Sequence, residues 1–166
     1  IIPTYKDIVA LELILNSLQL QTYKDFEVVI AEDNNSSELI EFLNNYNSNL
    51  KIKHFSQEDN GNQKAKILNK VLSNLTTEYI IFIDGDTIPY STFIQSHIML
   101  SKLKTILCGR RVNLGNNVST DLRENKIKAI ELEKAYFRKF KYINNDNTRH
   151  YEQGIRFKPN SLLLNL

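Results

Sequence analysis

Short apolar runs and amphipathic segments of helical period take turns along most of this chain, and that alternation leaves few folds open. Ile1-Ile2 ends one apolar run, and Pro3-Thr4 begins a loop. Over residues 6–21, Ile8, Leu11, Leu15 and Leu18 recur at helical spacing. FEVVIAED follows, a buried strand over residues 26–31 that ends on acids. Ser36 or Ser37 is placed to cap a helix carrying Leu39, Ile40, Leu43 and Tyr46. KIKHFS, residues 51–56, alternates like a strand with one covered face, and a loop with Asn60-Gly61 leads to a helix bearing Ala65, Leu68, Val71, Leu72 and Leu75. A further strand is expected over residues 79–83, then Asp84-Gly85-Asp86, then Pro89 and a helix with Phe93, Ile94, His97 and Ile98. KTILCGRRV, residues 104–112, reads as another strand. Strands alternating with helices in this way build βαβ units, so the fold class is α/β, a mainly parallel sheet flanked by helices. After Gly115 the chain turns polar, is expected to be helical over about residues 123–142, and ends in an irregular tail. This divides it into a core over residues 1–113 and a helical or irregular segment over residues 114–166.

Composition removes several function classes. A length of 166 residues suits one domain with a real core. The net charge of +2 supplies no overall field to recruit nucleic acid, which is not an expected partner. One cysteine, Cys108, excludes an intramolecular disulfide framework and suits a reducing compartment, so a cytoplasmic location is expected. No apolar stretch approaches the roughly 20 residues that span a bilayer. The chain opens inside an apolar run without methionine and closes on the apolar SLLLNL. It is therefore read as part of something longer, truncated on its C-terminal side, with a tail expected to be mobile or dimer-forming.

The chemistry gathers where strands end. Ligands of an open parallel sheet bind outside the carboxyl ends of its strands, near a topological switch point. Here the first strand ends in Pro3-Thr4-Tyr5, the second in Glu32-Asp33 and the fourth in Asp84-Gly85-Asp86. Residues two apart on extended chain face one side, so Asp84 and Asp86 can converge on one object, while Gly85 allows a ligand close to the backbone. Two carboxylates so close repel unless a cation lies beside them, and hard Mg²⁺ or Mn²⁺ prefers such oxygens and shares itself with phosphates. The competing reading makes Asp-Gly-Asp a turn chosen for backbone geometry.

IIPTYK, VVIAEDNNS, QEDNGNQKAKILNK and YIIFIDGDTIPYSTFIQSHI, with CGRRV more weakly, together resemble family 2 glycosyltransferases of the Rossmann-like GT-A fold. The subgroup is that of the N-terminal domain of bacterial chondroitin polymerase, and the likeness runs in order over residues 1 to about 113. The resemblance implies inverting transfer of a hexose or N-acetylhexosamine in polysaccharide synthesis. The donor would be a nucleotide sugar, UDP-linked, and the acceptor a saccharide or lipid-linked glycan. It implies that Tyr5 stacks on the base, shaped by Pro3 and Thr4, and that Asp33 accepts from the uracil imide. It places Asp84 near ribose and metal and Asp86 on the metal, Mn²⁺ or Mg²⁺, with Gly85 between them. Relatives carry arginine where this chain has Leu68, and Lys66 stands as its replacement, a point charge in place of a bidentate fork. Lys64 shares that helix and could also meet phosphate. Arg110 and Arg111 read as diphosphate or acceptor contacts, or equally as a basic strand end. Tyr5 reads alternatively as a loop aromatic packed on the helix, and Asp33 as the cap of the helix that follows it.

The acceptor's base has no recognisable motif; Asp121, Glu131, Glu133 and Glu152 are the acids on the expected side. His54, His97 and His150 make no metal pair, and Cys108 reads as a small apolar strand residue. ENKIKAIELEKAYFRKFKYI mixes Ile127, Ile130, Tyr136, Phe137 and Phe140 with lysines. It reads either as an interfacial helix in peripheral contact with the inner face of a membrane or as an amphipathic helix packed on its own domain or a second chain, in a homodimer. Two other classes stand beside the enzyme: a non-catalytic nucleotide-binding or assembly domain of the same fold, and a phospho-acceptor receiver domain. The receiver would need a lysine at the end of KTILCGRRV, where none stands.

Overall fold

A computed structural model describes residues 1–155, apart from the side chains of Phe137 and Phe140. SLLLNL and the tail expectation attached to it lie outside the described residues. The chain forms two compact units, Ile1–Thr105 and a second beginning at Ile106.

In the first unit, β1 (Ile2–Thr4), β2 (Glu27–Glu32) and β3 (Lys51–Ser56) form a parallel sheet in the order β1-β2-β3. Ile2 lies opposite Ile30, and Glu32 opposite both Thr4 and Ser56. Helices α1 (Ile8–Gln19), α2 (Ser37–Asn45), α3 (Lys64–Leu72) and α4 (Phe93–Leu100) complete it. β2 shows why its sequence is a continuous apolar run. Val28 and Ile30 pack in one cluster with Leu11, Ile14 and Leu15 of α1, Leu39 of α2 and Ile94 of α4. Val29 and Ala31 pack on the other face with Ile67 and Val71 of α3. A strand covered on both faces has no polar side to show.

Residues 79–83, expected as a strand, make one parallel rung and no more among the described residues. The Ile1 nitrogen donates to the Ile81 carbonyl at 2.7 Å, and Ile83 N–H donates to the Ile1 carbonyl at 3.0 Å. The next rung would need an N–H from residue 3, which is proline and has none. Thr4, of opposite parity to Ile1, turns its carbonyl the other way, to Asp33 N–H at 2.9 Å. Residues 79–83 therefore flank β1 on the side away from β2, and the chain's direction of winding reverses at β1. That reversal is the switch point where such sheets bind ligands.

The expected strand over residues 104–112 does not form. Leu103 and Ile106 are among the most exposed apolar residues, and Cys108 is exposed rather than buried in a strand. An apolar run becomes a strand only where another edge pairs with it, and none does so here among the described residues.

One buried amide fixes the chain after the Asp-Gly-Asp turn. Gln21 has no exposed surface; its Nε2 donates to the Tyr90 carbonyl at 2.6 Å and its Oε1 accepts from Ile94 N–H at 3.0 Å. Losing both bonds inside the core should cost about 3 kcal/mol. Gln21→Ala should lower the urea midpoint accordingly, and a loss well below 1 kcal/mol would show that these bonds are replaceable.

In the second unit α5 (Asn116–Arg123) precedes the helix expected over residues 123–142, which begins only at residue 129 and is broken into α6 (Ala129–Lys134) and α7 (Tyr136–Asn144), before a 3₁₀ turn at Tyr151–Gly154. Asn125, at φ 56°, takes the left-handed conformation that ends helices, but no glycine or proline marks the break at Ala135. Val118, Leu122, Leu132, Tyr136 and Ile143 are buried, so Tyr136 of the aromatic segment packs within protein. Asp146 Oδ2 accepts from Val118 N–H at 2.8 Å at the first turn of α5. Among the described residues, no helix is long and apolar enough to cross a membrane.

Candidate functional site

A cleft of about 470 Å³ opens at the carboxyl ends of β1 and β2, lined by Pro3, Thr4, Tyr5, Asp33, Asn62 and Lys64. Four of these six are residues singled out at the strand ends. The Tyr5 ring is half exposed, at 49%. Its hydroxyl donates to Asp59 Oδ2 at 3.3 Å, and Lys6 Nζ lies 4.7 Å from the ring centroid. Lys6 also pairs with Asp59 at 2.8 Å, which raises the lysine above its ordinary range and holds the Asp59 carboxyl below its own. The ring is thus steadied from the 57–63 loop, and its packing-residue reading loses ground to its exposure.

Asp33 is buried, and its carboxylate reaches across the chain. Oδ1 accepts from Gln57 Nε2 at 2.5 Å, and Oδ2 accepts from Gln63 N–H at 2.8 Å, at the N-cap position of α3. The expected alternative, a cap for the next helix, is corrected: Ser36 caps α2, its hydroxyl accepting from Leu39 N–H at 3.1 Å. Asp33 instead caps α3 from another strand, where a carboxylate also meets the positive end of the helix dipole. A carboxylate offers about four lone-pair directions, so two acceptances leave room for a ligand donor. The neighbouring Glu32 is fully buried and spent on structure, holding His54 Nε2 at 2.8 Å and Ser36 N–H at 2.9 Å.

Thr4 lines the cleft, and its hydroxyl oxygen is buried with no hydrogen-bond partner among the described residues, as is Gln57 Oε1. Buried polar groups are nearly always satisfied, so this orphan beside the cleft marks a place where a donor is missing.

Asp84, Gly85 and Asp86 form a turn closed by Thr87 N–H on the Asp84 carbonyl at 3.0 Å. The turn reading and the ligand reading are therefore compatible. Gly85 has a different reason from the one expected. A Cβ there would lie 2.4 Å from the Pro3 carbonyl oxygen, so what comes close to its backbone is β1. Both carboxylates are exposed. Among the described residues no group of three acids, histidines or cysteines could hold a metal unaided. Two hard-oxygen donors on one turn nonetheless fit Mg²⁺ or Mn²⁺, which completes its shell with water and substrate phosphates.

Of the two lysines, Lys64 lines the cleft and pairs with Asp84 Oδ1 at 2.9 Å. Lys66 donates to Gln63 Oε1 at 3.2 Å and is not on the cleft wall. Two residues apart on a helix face different ways, so only one could serve. Arg111 belongs to the second unit, exposed on irregular chain rather than at a strand end. The acids considered for a base have partners within that unit. Asp121 accepts from the Tyr142 hydroxyl, Glu131 lies 3.9 Å from Lys139, and Glu152 is lowered below the usual range by Gln153. The His97 ring packs tilted against Phe93 at 4.6 Å between centroids, and burial lowers its pKa; it packs as a helix residue.

A parallel sheet wound outward from β1, with a cleft holding Asp33 at its strand ends, defines an α/β domain of the GT-A kind. The chain belongs to glycosyltransferase family 2: the Glycosyl transferase family 2 profile matches residues 1–163. It is 32% identical over 101 residues to a chondroitin synthase of Escherichia coli, covering 60% of this chain and 15% of that protein. It is 27% identical over 118 residues to the poly(ribitol-phosphate) beta-N-acetylglucosaminyltransferase TarS of Staphylococcus aureus (strain Mu50), covering 64% of this chain and 21% of that protein. The crystal structure of S. aureus TarS 1–349 in complex with UDP superposes with a TM-score of 0.54 at 27% identity, over 60% of this chain and 30% of that one. The chain thus spans less than a third of each of these relatives.

Proposed function

We propose that this chain carries the donor half of a glycosyltransferase that moves a sugar from a UDP sugar to a saccharide or lipid-linked acceptor, with inversion, in polysaccharide synthesis. The observation that carries the reading is the cleft at the β1 and β2 ends, where Thr4, Tyr5 and Asp33 meet and Lys64 joins the Asp-Gly-Asp turn. Tyr5 offers a π face to the base, and Asp33 accepts from its imide N–H. Asp86 and Asp84 would hold Mn²⁺ or Mg²⁺, which when bound supplies Lewis-acid stabilisation of the departing diphosphate. The acceptor hydroxyl then attacks the anomeric carbon, the bond to the diphosphate oxygen breaks, and a carboxylate base takes the hydroxyl proton. Support comes from the family and from a structural relative solved with UDP.

Calorimetry of UDP binding with and without Mn²⁺ tests the reading, with Asp86→Asn as the sharpest variant. The substitution keeps size and removes charge, so Mn²⁺ should no longer enhance UDP binding, a loss of about tenfold or more. Survival of the metal effect in Asp86→Asn would leave the turn as a turn only.

A further inference from the structure

The ion pair between Lys64 and Asp84 ties the start of α3 to the Asp-Gly-Asp turn. Lys64 is the first residue of α3, where a positive side chain opposes the helix dipole. Its Nζ nonetheless lies 2.9 Å from Asp84 Oδ1, twenty residues away in sequence, with both side chains about half exposed. The ammonium therefore belongs to the cleft lining and to one of the two carboxylates proposed to hold the metal at once. A divalent cation binding at the Asp-Gly-Asp turn needs the same carboxylate oxygens that Lys64 neutralises. A diphosphate entering the cleft gives the ammonium a second, stronger anion within reach of its flexible stem.

We propose that Lys64 is a competing cation for Asp84 that sets the order of loading: it opposes a divalent ion offered by itself and favours one that arrives with a diphosphate. This rests on the donor-site reading above. It assigns Lys64 two effects of opposite sign, weakening metal binding without nucleotide and strengthening nucleotide binding with metal. A residue that merely steadied the turn would move both in the same direction.

The test uses the 166-residue chain and Lys64→Met, which removes the charge and keeps the stem. Mn²⁺ alone is titrated against it by electron paramagnetic resonance of the hexaaquo ion, and UDP by calorimetry at saturating Mn²⁺. Losing an exposed pair should tighten Mn²⁺ binding about threefold. Losing a charged contact to phosphate should weaken UDP about tenfold. Lys64→Arg keeps the charge and should restore both values toward those of the parent chain. Mn²⁺ affinity unchanged or weakened in Lys64→Met would overturn the competition while leaving the donor site standing. A parent chain whose UDP affinity ignores Mn²⁺ would overturn the donor-site reading and this proposal together.

Discussion

Asp33→Ala is expected to weaken UDP binding by about 100-fold, because one carboxylate does three things. It is the proposed acceptor for the uracil imide, a charge-assisted bond whose loss costs about 1.5–3 kcal/mol. It also caps α3 through Gln63 N–H and holds the Gln57 amide, so its removal unties both ends of the 57–63 loop. That loop carries Asp59, which steadies Tyr5. Stacking and imide recognition should therefore fall together. Asp33→Asn separates the roles: its amide oxygen can still accept from Gln63 N–H, while its NH₂ faces donors where acceptors are needed. It should lose about tenfold and keep most of its thermal stability. Calorimetry with UDP, alongside thermal melts, reads both effects. Unchanged UDP affinity in the two variants would sink the uridine assignment and leave Asp33 a purely structural cap.

Gly85→Ala should remove nucleotide binding and metal enhancement in one step, without touching a carboxylate. The added methyl would lie 2.4 Å from the Pro3 carbonyl oxygen, a backbone atom that no rotamer can move aside. The turn must retreat from β1, taking Asp84, Asp86 and the Ile83 N–H bond to Ile1 with it. Overpacking of this kind costs about 1–3 kcal/mol of stability, and displacing the ligand groups by about an ångström should cost about 100-fold in UDP affinity at saturating Mn²⁺. Asp86→Asn should differ by losing the metal effect while keeping metal-independent binding of UDP. A Gly85→Ala protein with parental affinity and Mn²⁺ dependence would show that the turn is placed by something other than its contact with Pro3.

Local period and local chemistry carry the part of this fold that is legible in the residues alone. β2 was legible because Val28 to Ala31 alternate between two covered faces, and α1 because Leu11, Leu15 and Leu18 share one stripe. Ser36 or Ser37 announced the start of α2, which Ser36 caps, and Pro3, Thr4, Tyr5 and Asp33 at the strand ends announced the cleft. Phase along one element is encoded within that element. Tertiary structure alone decided which segments find partners. The apolar run over residues 104–112 looks like a strand but pairs with no edge among the described residues, and residues 79–83 stop at one rung on β1 because the facing residue is Pro3. Asp33 caps a helix thirty residues on, Gly85 makes room for β1, and Lys64 rather than Lys66 meets Asp84. Each of these depends on a distance between segments far apart in the chain, which the packing of helices on the sheet sets and no local period records.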